Sequence, residues 1–300
     1  MQLKALLLIF ILTASNISAV SQQKNRKVVT TGTVEVIQRV RPSVVQIYVR
    51  AGSETVVLGT GFIVSMDGHI ITADHVVNTK QVFINSKDAN GNIRTDTVPV
   101  TMGHMRVGIP MPDLLPEETG GITIRQGFNG LQFDLIDRDL RHDLAILKCK
   151  QNLSNLPVVA KINEKEIRSV VGIARMKRGS LKDGEQILIS GYPLQSKTLI
   201  TTVGHVASAS EVNVAEVLID PPNPQIPRPI TRLDFMDIYL GDITANPGNS
   251  GGPAYLASTG EIIGILSGGK LNSGVYAGLA IVVPIKYAID LLKKNKVALQ

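Results

Sequence analysis

Short apolar runs, each interrupted after a few residues, constrain the fold of this 300-residue chain more than any other feature. Val, Ile and Thr dominate runs such as SVVQIYVR, DLAILKC and EIIGILSGG, and most runs are bounded by Gly, Pro, Asn or Asp. This pattern is typical of β-strands. Because helical segments do not alternate regularly with the runs, the sequence favours an antiparallel sandwich or barrels over a parallel sheet.

Two short helices are expected at the ends of this strand-rich region. The stretch that begins TVEVIQRV is predicted to be helical to about Val40, since Pro42 cannot continue a helix. Near the other end, Pro284 suits a first helical position. The helical rhythm after it, predicted over residues 284–296, gives one apolar face, formed by Ile285, Ala288, Ile289 and Leu292.

The first residues, MQLKALLLIFILTASNISAV, are typical of a secretory signal. Lys4 precedes an apolar run over residues 5–12, and small residues follow it. The run is shorter than the roughly 20 residues that span a bilayer, so cleavage after Ala19 is favoured over an uncleaved anchor. We therefore expect a signal peptide at 1–19, an N-terminal segment at 20–33, and an exported protein that is periplasmic or secreted.

Composition narrows the function classes. The net charge of +6 comes from scattered basic residues, which indicates solvated surface and no nucleic-acid partner. Cys149 is the single cysteine, so no internal disulfide can form, and its apolar surroundings in LAILKCK predict a packed thiol and no nucleophile. The sequence shows no Cys/His cluster for a metal. Two segments rich in Pro and Gly, residues 87–130 and 221–229, interrupt the strand pattern and are expected to be insertions.

The stretch TANPGNSGGPAY surrounds Ser250 with glycine and proline, which indicates a tight turn. GNSGG also matches the nucleophile elbow of α/β-hydrolases, but that motif needs a following helix and a histidine later in the chain. Pro253 disfavours such a helix, and all five histidines precede Ser250. An esterase or lipase is therefore disfavoured.

The opposite order, histidine, aspartate and then serine, fits a catalytic triad. His75 in ITADHVV follows one apolar strand, and Asp143 in HDLAILK opens another. Their distance from Ser250 in sequence is no obstacle, because a triad requires proximity in space only. The histidine would take the serine proton, and the aspartate would orient the histidine.

These motifs, with GTGFIVSMDGHIITADHVV and GLAIVVP, resemble successive segments of HtrA (Deg) serine peptidases, which are chymotrypsin-like. The resemblance covers about residues 34–295 apart from the two insertions. It implies a peptidase domain at 34–298 made of two antiparallel six-stranded β-barrels, at about 34–150 and 160–283, with the active site in the cleft between them. It also implies an oxyanion hole formed by the backbone N–H groups of Gly248 and Ser250. The few residues after the terminal helix leave no room for the PDZ domains usual in that family.

The resemblance extends to specificity. Thr244, six residues before Ser250, matches the base of the primary pocket, and its lack of charge disfavours basic side chains. Ser267, Gly268 and Gly269 match the strand that walls the pocket, and Ser267 is expected to hydrogen-bond Asp143. The implied function is an exported endopeptidase of unfolded or damaged polypeptides, without cofactor or metal, for which a homo-oligomer is compatible with the resemblance. The alternative is a weakly active or inactive binding protein on the same scaffold.

Overall fold

The computed structural model describes residues 31–299 apart from 53, 88–92, 111–127, 157, 163–164, 170, 220–229 and 273–274. The expected signal peptide, the whole of segment 221–229 and much of segment 87–130 lie outside these residues. Within the described part, no helix is long and apolar enough to cross a membrane.

Nine strands build the first lobe, all paired antiparallel. Their bounds are β1 (Val44–Ala51), β2 (Glu54–Ile63), β3 (His69–Ala73), β4 (Gln81–Lys87), β5 (Ile93–Pro99), β6 (Met105–Pro110), β7 (Phe128–Leu131), β8 (Phe133–Asp139) and β9 (Leu144–Cys149). Seven of them form one sheet in the order β7-β6-β1-β2-β3-β9-β8, and β4 and β5 form a separate hairpin.

The two edges of the seven-stranded sheet are consecutive in the chain. β7 and β8 are separated by Gln132 alone, although β7 pairs with β6 and β8 pairs with β9 at the opposite edge. The sheet must therefore curl until its edges meet. The resemblance predicts a closed barrel of six strands for this lobe. The described sheet has seven strands because a single bent strand is interrupted at Gln132 and is counted as β7 and β8.

The second lobe is the closed six-stranded barrel that the sequence predicts, in the order β12-β13-β14-β17-β16-β15. A two-stranded hairpin precedes it. The bounds are β10 (Val158–Ile162), β11 (Lys165–Arg168), β12 (Gln186–Gly191), β13 (Ile200–Ile219), β14 (Ile230–Gly241), β15 (Pro253–Leu256), β16 (Ile262–Asn272) and β17 (Val275–Pro284). The all-β, chymotrypsin-like fold class expected from the sequence is thus confirmed.

In the described part of the chain, helices are few and short. They are α1 (Thr31–Val40), α2 (Asp74–Val77) and α3 (Ile285–Lys294), with 3-10 turns at Arg41–Ser43, Met102–His104, Leu153–Asn155 and Pro193–Gln195. The predicted end of α1 at Val40 is confirmed. Pro284 is the last residue of β17 and the N-cap of α3, so α3 begins one residue later than expected.

One apolar cluster joins the two lobes. It includes Phe62 and Ile146 of the first lobe, Leu188 and Tyr255 of the second, and Leu292 of α3, all fully buried. A second cluster fills the first lobe and holds Cys149, which is 2% exposed. Burial raises the pKa of the Cys149 thiol to about 12, which confirms a packed thiol.

The prediction that residues 87–130 form an insertion that interrupts the strand pattern is wrong. β5 and β6 both lie inside it, and β6 is an integral strand of the first lobe because it pairs with β1 over Met105–Gly108. The density of Pro and Gly conceals this strand in the sequence, although Val107 and Ile109 are fully buried. Pro110 is the last residue of the strand, a position where the missing N–H is tolerated.

Candidate active site

His75 and Asp143 come together at the ends of adjacent strands. β3 pairs with β9, and α2 follows β3 directly, so His75 lies beside the residue that precedes β9. The imidazole Nδ1 is 2.8 Å from Asp143 Oδ2, and the His75 backbone N–H donates to Asp143 Oδ1 at 2.9 Å. This double contact fixes the ring with Nε2 left for chemistry, as a general base requires.

The environment of His75 favours its protonated form. Burial lowers the pKa of His75, but the hydrogen bond with Asp143 and the negative charges of Asp143 and Asp74 together raise it above its ordinary value. Asp74 is itself buried and is held by Arg138, whose Nη2 donates to Asp74 Oδ2 at 2.8 Å and whose Nε donates to Oδ1. No pattern in the sequence marks Arg138, which reaches the site from β8.

Asp143 has a backbone conformation that few non-glycine residues adopt. Its φ is +54°, in the left-handed region that aspartate tolerates better than most residues. Three further contacts hold it there: its carbonyl accepts from Asp74 N at 3.0 Å, and its carboxylate accepts from His75 and from Ser267 Oγ, the latter at 2.6 Å. The hydrogen bond expected between Ser267 and Asp143 is therefore present.

Ser250 lies in a turn that only glycine can build at two positions. Gly248 has a φ of +98°, and a Cβ there would lie 2.3 Å from Tyr192 O. Gly251 has a φ of +82°, and its Cβ would lie 2.2 Å from Thr60 O. The chain continues into β15 and not into a helix, so the α/β-hydrolase elbow is excluded.

Thr60 of β2 holds this turn from the first lobe. Its N–H donates to Ser250 O at 2.8 Å, and its Oγ1 donates to Gly248 O at 2.7 Å and accepts from Tyr192 N at 3.1 Å. Its own carbonyl accepts from Thr72 Oγ1 at 2.7 Å. Sequence reasoning missed Thr60, because a threonine in a strand is an ordinary β-former.

The turn presents two N–H groups that have no acceptor among the residues that the structure describes. Within the described residues, neither Gly248 N nor Ser250 N donates a hydrogen bond, whereas Asn249 N and Gly251 N, their neighbours, both do. The carbonyl of Gly248 faces Thr60 and not the space beside Ser250. Ser250 Oγ donates to Ser267 O at 3.3 Å, so the hydroxyl must rotate to reach the His75 ring.

Comparison with known proteins assigns the family. The model of the trypsin-like peptidase domain matches residues 59–265, which contain His75, Asp143 and Ser250 and end two residues before Ser267. The chain belongs to the trypsin-like peptidase family. The predicted relationship to HtrA (Deg) peptidases is supported by relatives that are DegP-like.

Two such relatives are probable periplasmic serine endoproteases. The one from Pseudomonas putida strain GB-1 is 26% identical over 240 residues, 80% of this chain and 35% of the relative. The one from Hahella chejuensis is 25% identical over 248 residues, 82% of this chain and 37% of the relative. This peptidase chain thus spans about a third of the length of these relatives.

A solved structure shows the same fold. The active form of the Rv3671c protease from M. tuberculosis superposes with a TM-score of 0.53 at 18% identity, covering 90% of this peptidase chain and 88% of its own. At that identity the likeness concerns the fold alone. Both lobes and their order along the chain are therefore those of a known protease architecture.

The residues expected to form the peptidase's specificity pocket lie on two segments. Thr244 is exposed in the loop between β14 and Ser250, and Ser267, Gly268 and Gly269 lie half-buried on β16, where a bulge falls between Leu266 and Gly268. The space beside Gly268 is open, since a Cβ there would meet nothing within 4 Å. Among the described residues, no three His, Cys, Asp or Glu side chains are placed to hold a metal ion.

The other histidines of the peptidase do not join the site. His142 precedes Asp143, but its Nδ1 is 2.6 Å from Asp139 Oδ2 and its ring stacks on Tyr287 of α3 with centroids 3.6 Å apart. His69 Nδ1 is 2.8 Å from Ser65 Oγ. His205 Nδ1 is 3.6 Å from an Asp242 carboxylate oxygen. Among these histidines, only His75 contacts Asp143, whose carboxylate is connected to Ser250 through Ser267.

Proposed function

We propose that this protein is a serine endopeptidase that hydrolyses unfolded or damaged polypeptides outside the cytoplasm. One observation carries the proposal: the His75–Asp143 pair lies beside a serine turn whose Gly248 and Ser250 N–H groups have no acceptor among the described residues. In a turn that only reverses the chain, two N–H groups without acceptors would have no role, and contacts from another lobe would not be needed to keep them unpaired.

The proposed reaction begins when Ser250 Oγ leaves Ser267 O and donates to His75 Nε2. The imidazole takes the proton as Oγ attacks the scissile carbonyl carbon, and the resulting oxyanion accepts hydrogen bonds from Gly248 and Ser250 N–H. His75 then gives the proton to the leaving amine, and an acyl-enzyme remains on Ser250. Water, deprotonated by His75, attacks the acyl carbon, and His75 returns that proton to Ser250 Oγ as the bond to Oγ breaks and the product acid leaves.

Asp143 stabilises the imidazolium at each of these steps. Its carboxylate holds Nδ1 protonated, so Nε2 is the basic nitrogen, and it lies 2.8 Å from the charge that forms. Ser267 contributes as a positioning residue, because one residue contacts both the Asp143 carboxylate through Oγ and the Ser250 hydroxyl through its carbonyl. Each oxyanion-hole donor is worth roughly 3 kcal/mol of transition-state stabilisation.

Polypeptides are the proposed substrates, on two grounds. The relatives are named as periplasmic serine endoproteases, and the predicted signal peptide agrees with export. The uncharged Thr244 favours cleavage after small or medium aliphatic residues, because a basic side chain finds no carboxylate there. A peptide panel with the best turnover after Arg or Lys contradicts this specificity.

The decisive experiment compares the protein with its Ser250→Ala variant on unfolded casein. We expect cleavage by the wild type and loss of at least about a thousandfold in kcat/KM for the variant. Ser210→Ala is the matched control, since Ser210 is exposed on β13 and should retain full activity. Equal cleavage by wild type and Ser250→Ala removes Ser250 from the mechanism. Casein binding without cleavage by the wild type favours the binding-protein alternative.

A further inference from the structure

A cavity of about 340 Å³ lies on the outside of the first lobe. Its described lining is Tyr48, Arg50, His104, Arg106 and Gly130. Strand register explains why these residues meet: Tyr48 of β1 is directly opposite Arg106 of β6, and side chains of directly opposed residues share a face.

Alternation along β1 separates this face from the core. Val45, Ile47 and Val49 belong to the apolar cluster inside the lobe, so Tyr48 and Arg50 point to the other side of the sheet. The cavity is therefore a feature of the outer surface and shares no residue with the site of Ser250.

The positive charges of the arginines in this cavity are not balanced by negative charges among its described lining residues. No carboxylate occurs among the described lining residues. Arg106 Nη1 donates to two main-chain carbonyls, Gly103 O and Met105 O, each at 2.7 Å, and no carboxylate contacts it in the described part of the chain. Arg50 likewise makes no ion pair with any described residue. Two guanidinium groups thus face one small space with a combined charge of about +2.

The Tyr48 hydroxyl lies at the wall of the cavity beside these two arginines. It lies against Gly130, where a Cβ would be 2.3 Å away, so glycine makes room for it at the cavity wall. A phenolic hydroxyl at such a wall is suited to donate a hydrogen bond to a ligand.

We propose that this cavity binds a phosphoryl group. A phosphate carries a charge of about −1.5 to −2 near neutral pH, which two arginines balance, whereas a carboxylate leaves one of them unpaired. Guanidinium groups bind phosphate oxygens through paired N–H donors, and the Tyr48 hydroxyl adds a further donor. A soluble phosphate and a phospholipid headgroup present the same phosphoryl oxygens, and the experiments below distinguish these two sources.

Titration calorimetry of the full chain with inorganic phosphate tests the proposal. We expect one saturable site, weakened at least about tenfold by Arg106→Gln or Arg50→Gln and several-fold by Tyr48→Phe. Gly130→Ala should also weaken binding, because its methyl group displaces the hydroxyl. Arg175→Gln, the same charge change at an exposed arginine of the second lobe, should bind as the wild type does. Thermal unfolding of each variant confirms that it is folded.

Vesicle-binding experiments distinguish a lipid source of the phosphoryl group from a soluble one. Phosphatidylcholine vesicles containing phosphatidic acid identify a lipid source if they bind the wild type but not Arg106→Gln. Phosphate binding without vesicle binding identifies a soluble source. The proposal is overturned if phosphate gives no saturable binding, if acetate binds as tightly as phosphate, or if Arg175→Gln weakens binding as much as Arg106→Gln.

Discussion

Replacing Thr60 with valine tests whether the first lobe holds the serine turn of the second. Valine keeps the shape of threonine but has no hydroxyl. The change removes the donor to Gly248 O and the acceptor of Tyr192 N, while the backbone bond from Thr60 N to Ser250 O remains. Thr60 is 0% exposed, so water cannot take the place of the hydroxyl without rearrangement.

The expected loss of stability follows from these two bonds. A buried polar group deprived of its partner costs about 1–3 kcal/mol, and Gly248 O is only partly buried, so we expect about 3 kcal/mol in total. Unfolding entropy is about 2.1 cal/mol/K per residue, or roughly 0.55 kcal/mol/K for the folded part of this chain. The melting temperature should therefore fall by about 5 °C.

Activity should fall with stability, for a separate reason. Release of the Gly248 carbonyl lets the neighbouring peptide bond turn, which misaligns the proposed oxyanion donors and lowers kcat by at least about tenfold. Calorimetry and casein cleavage measure the two effects. Thr60→Ser is the control: it keeps the hydroxyl, loses one methyl group worth about 0.8 kcal/mol, and should retain most activity. A valine variant that melts within a degree of wild type and keeps full kcat refutes the reasoning.

Four further predictions follow from other contacts. Because the pKa of His75 is raised, kcat/KM should fall with decreasing pH around a midpoint above about 6.5, and a flat profile to pH 4 contradicts a base role. Gly251→Ala should cost more than about 3 kcal/mol in urea unfolding, whereas Gly52→Ala, with positive φ but open space, should cost about 1–2. Hydrogen bonds from a lysine on α3 and an asparagine after it lower the pKa of Asp137 to about 2. The contribution of Asp137 to stability is therefore complete above about pH 4 and is lost as the pH falls towards 2. Asp137→Asn should flatten that part of the curve of stability against pH, and parallel curves for variant and wild type refute this prediction. Cys149 should resist a thiol reagent at pH 8 until urea unfolds the chain; rapid labelling of the native protein contradicts its raised pKa.

The sequence was informative where local chemistry and periodicity agree. Val, Ile and Thr runs with breakers between them predicted the strands, and the rhythm from Ile285 to Leu292 predicted α3. The motifs around His75, Asp143 and Ser250 singled out residues that the fold does bring to one place. Such motifs are readable because glycine, proline and acidic residues at fixed offsets have few other structural uses.

Contacts made across the fold could not be predicted in the same way. Thr60 contacts Gly248, 188 residues away, and Arg138 reaches Asp74 from another strand. Both side chains are ordinary in their own segments, so no local pattern marks them. β6 was hidden for the opposite reason: its glycine and proline resemble loop residues, and only pairing with β1 makes the segment a strand.

The bonds from Thr60 also have a consequence for timing. The turn that holds Ser250 is fixed by a residue that comes almost two hundred positions earlier in the chain and belongs to the other lobe. Neither lobe can therefore form the proposed active site while its partner is unfolded. Under the proposed function, a newly made chain has no peptidase activity until both lobes have docked, so folding itself delays activity.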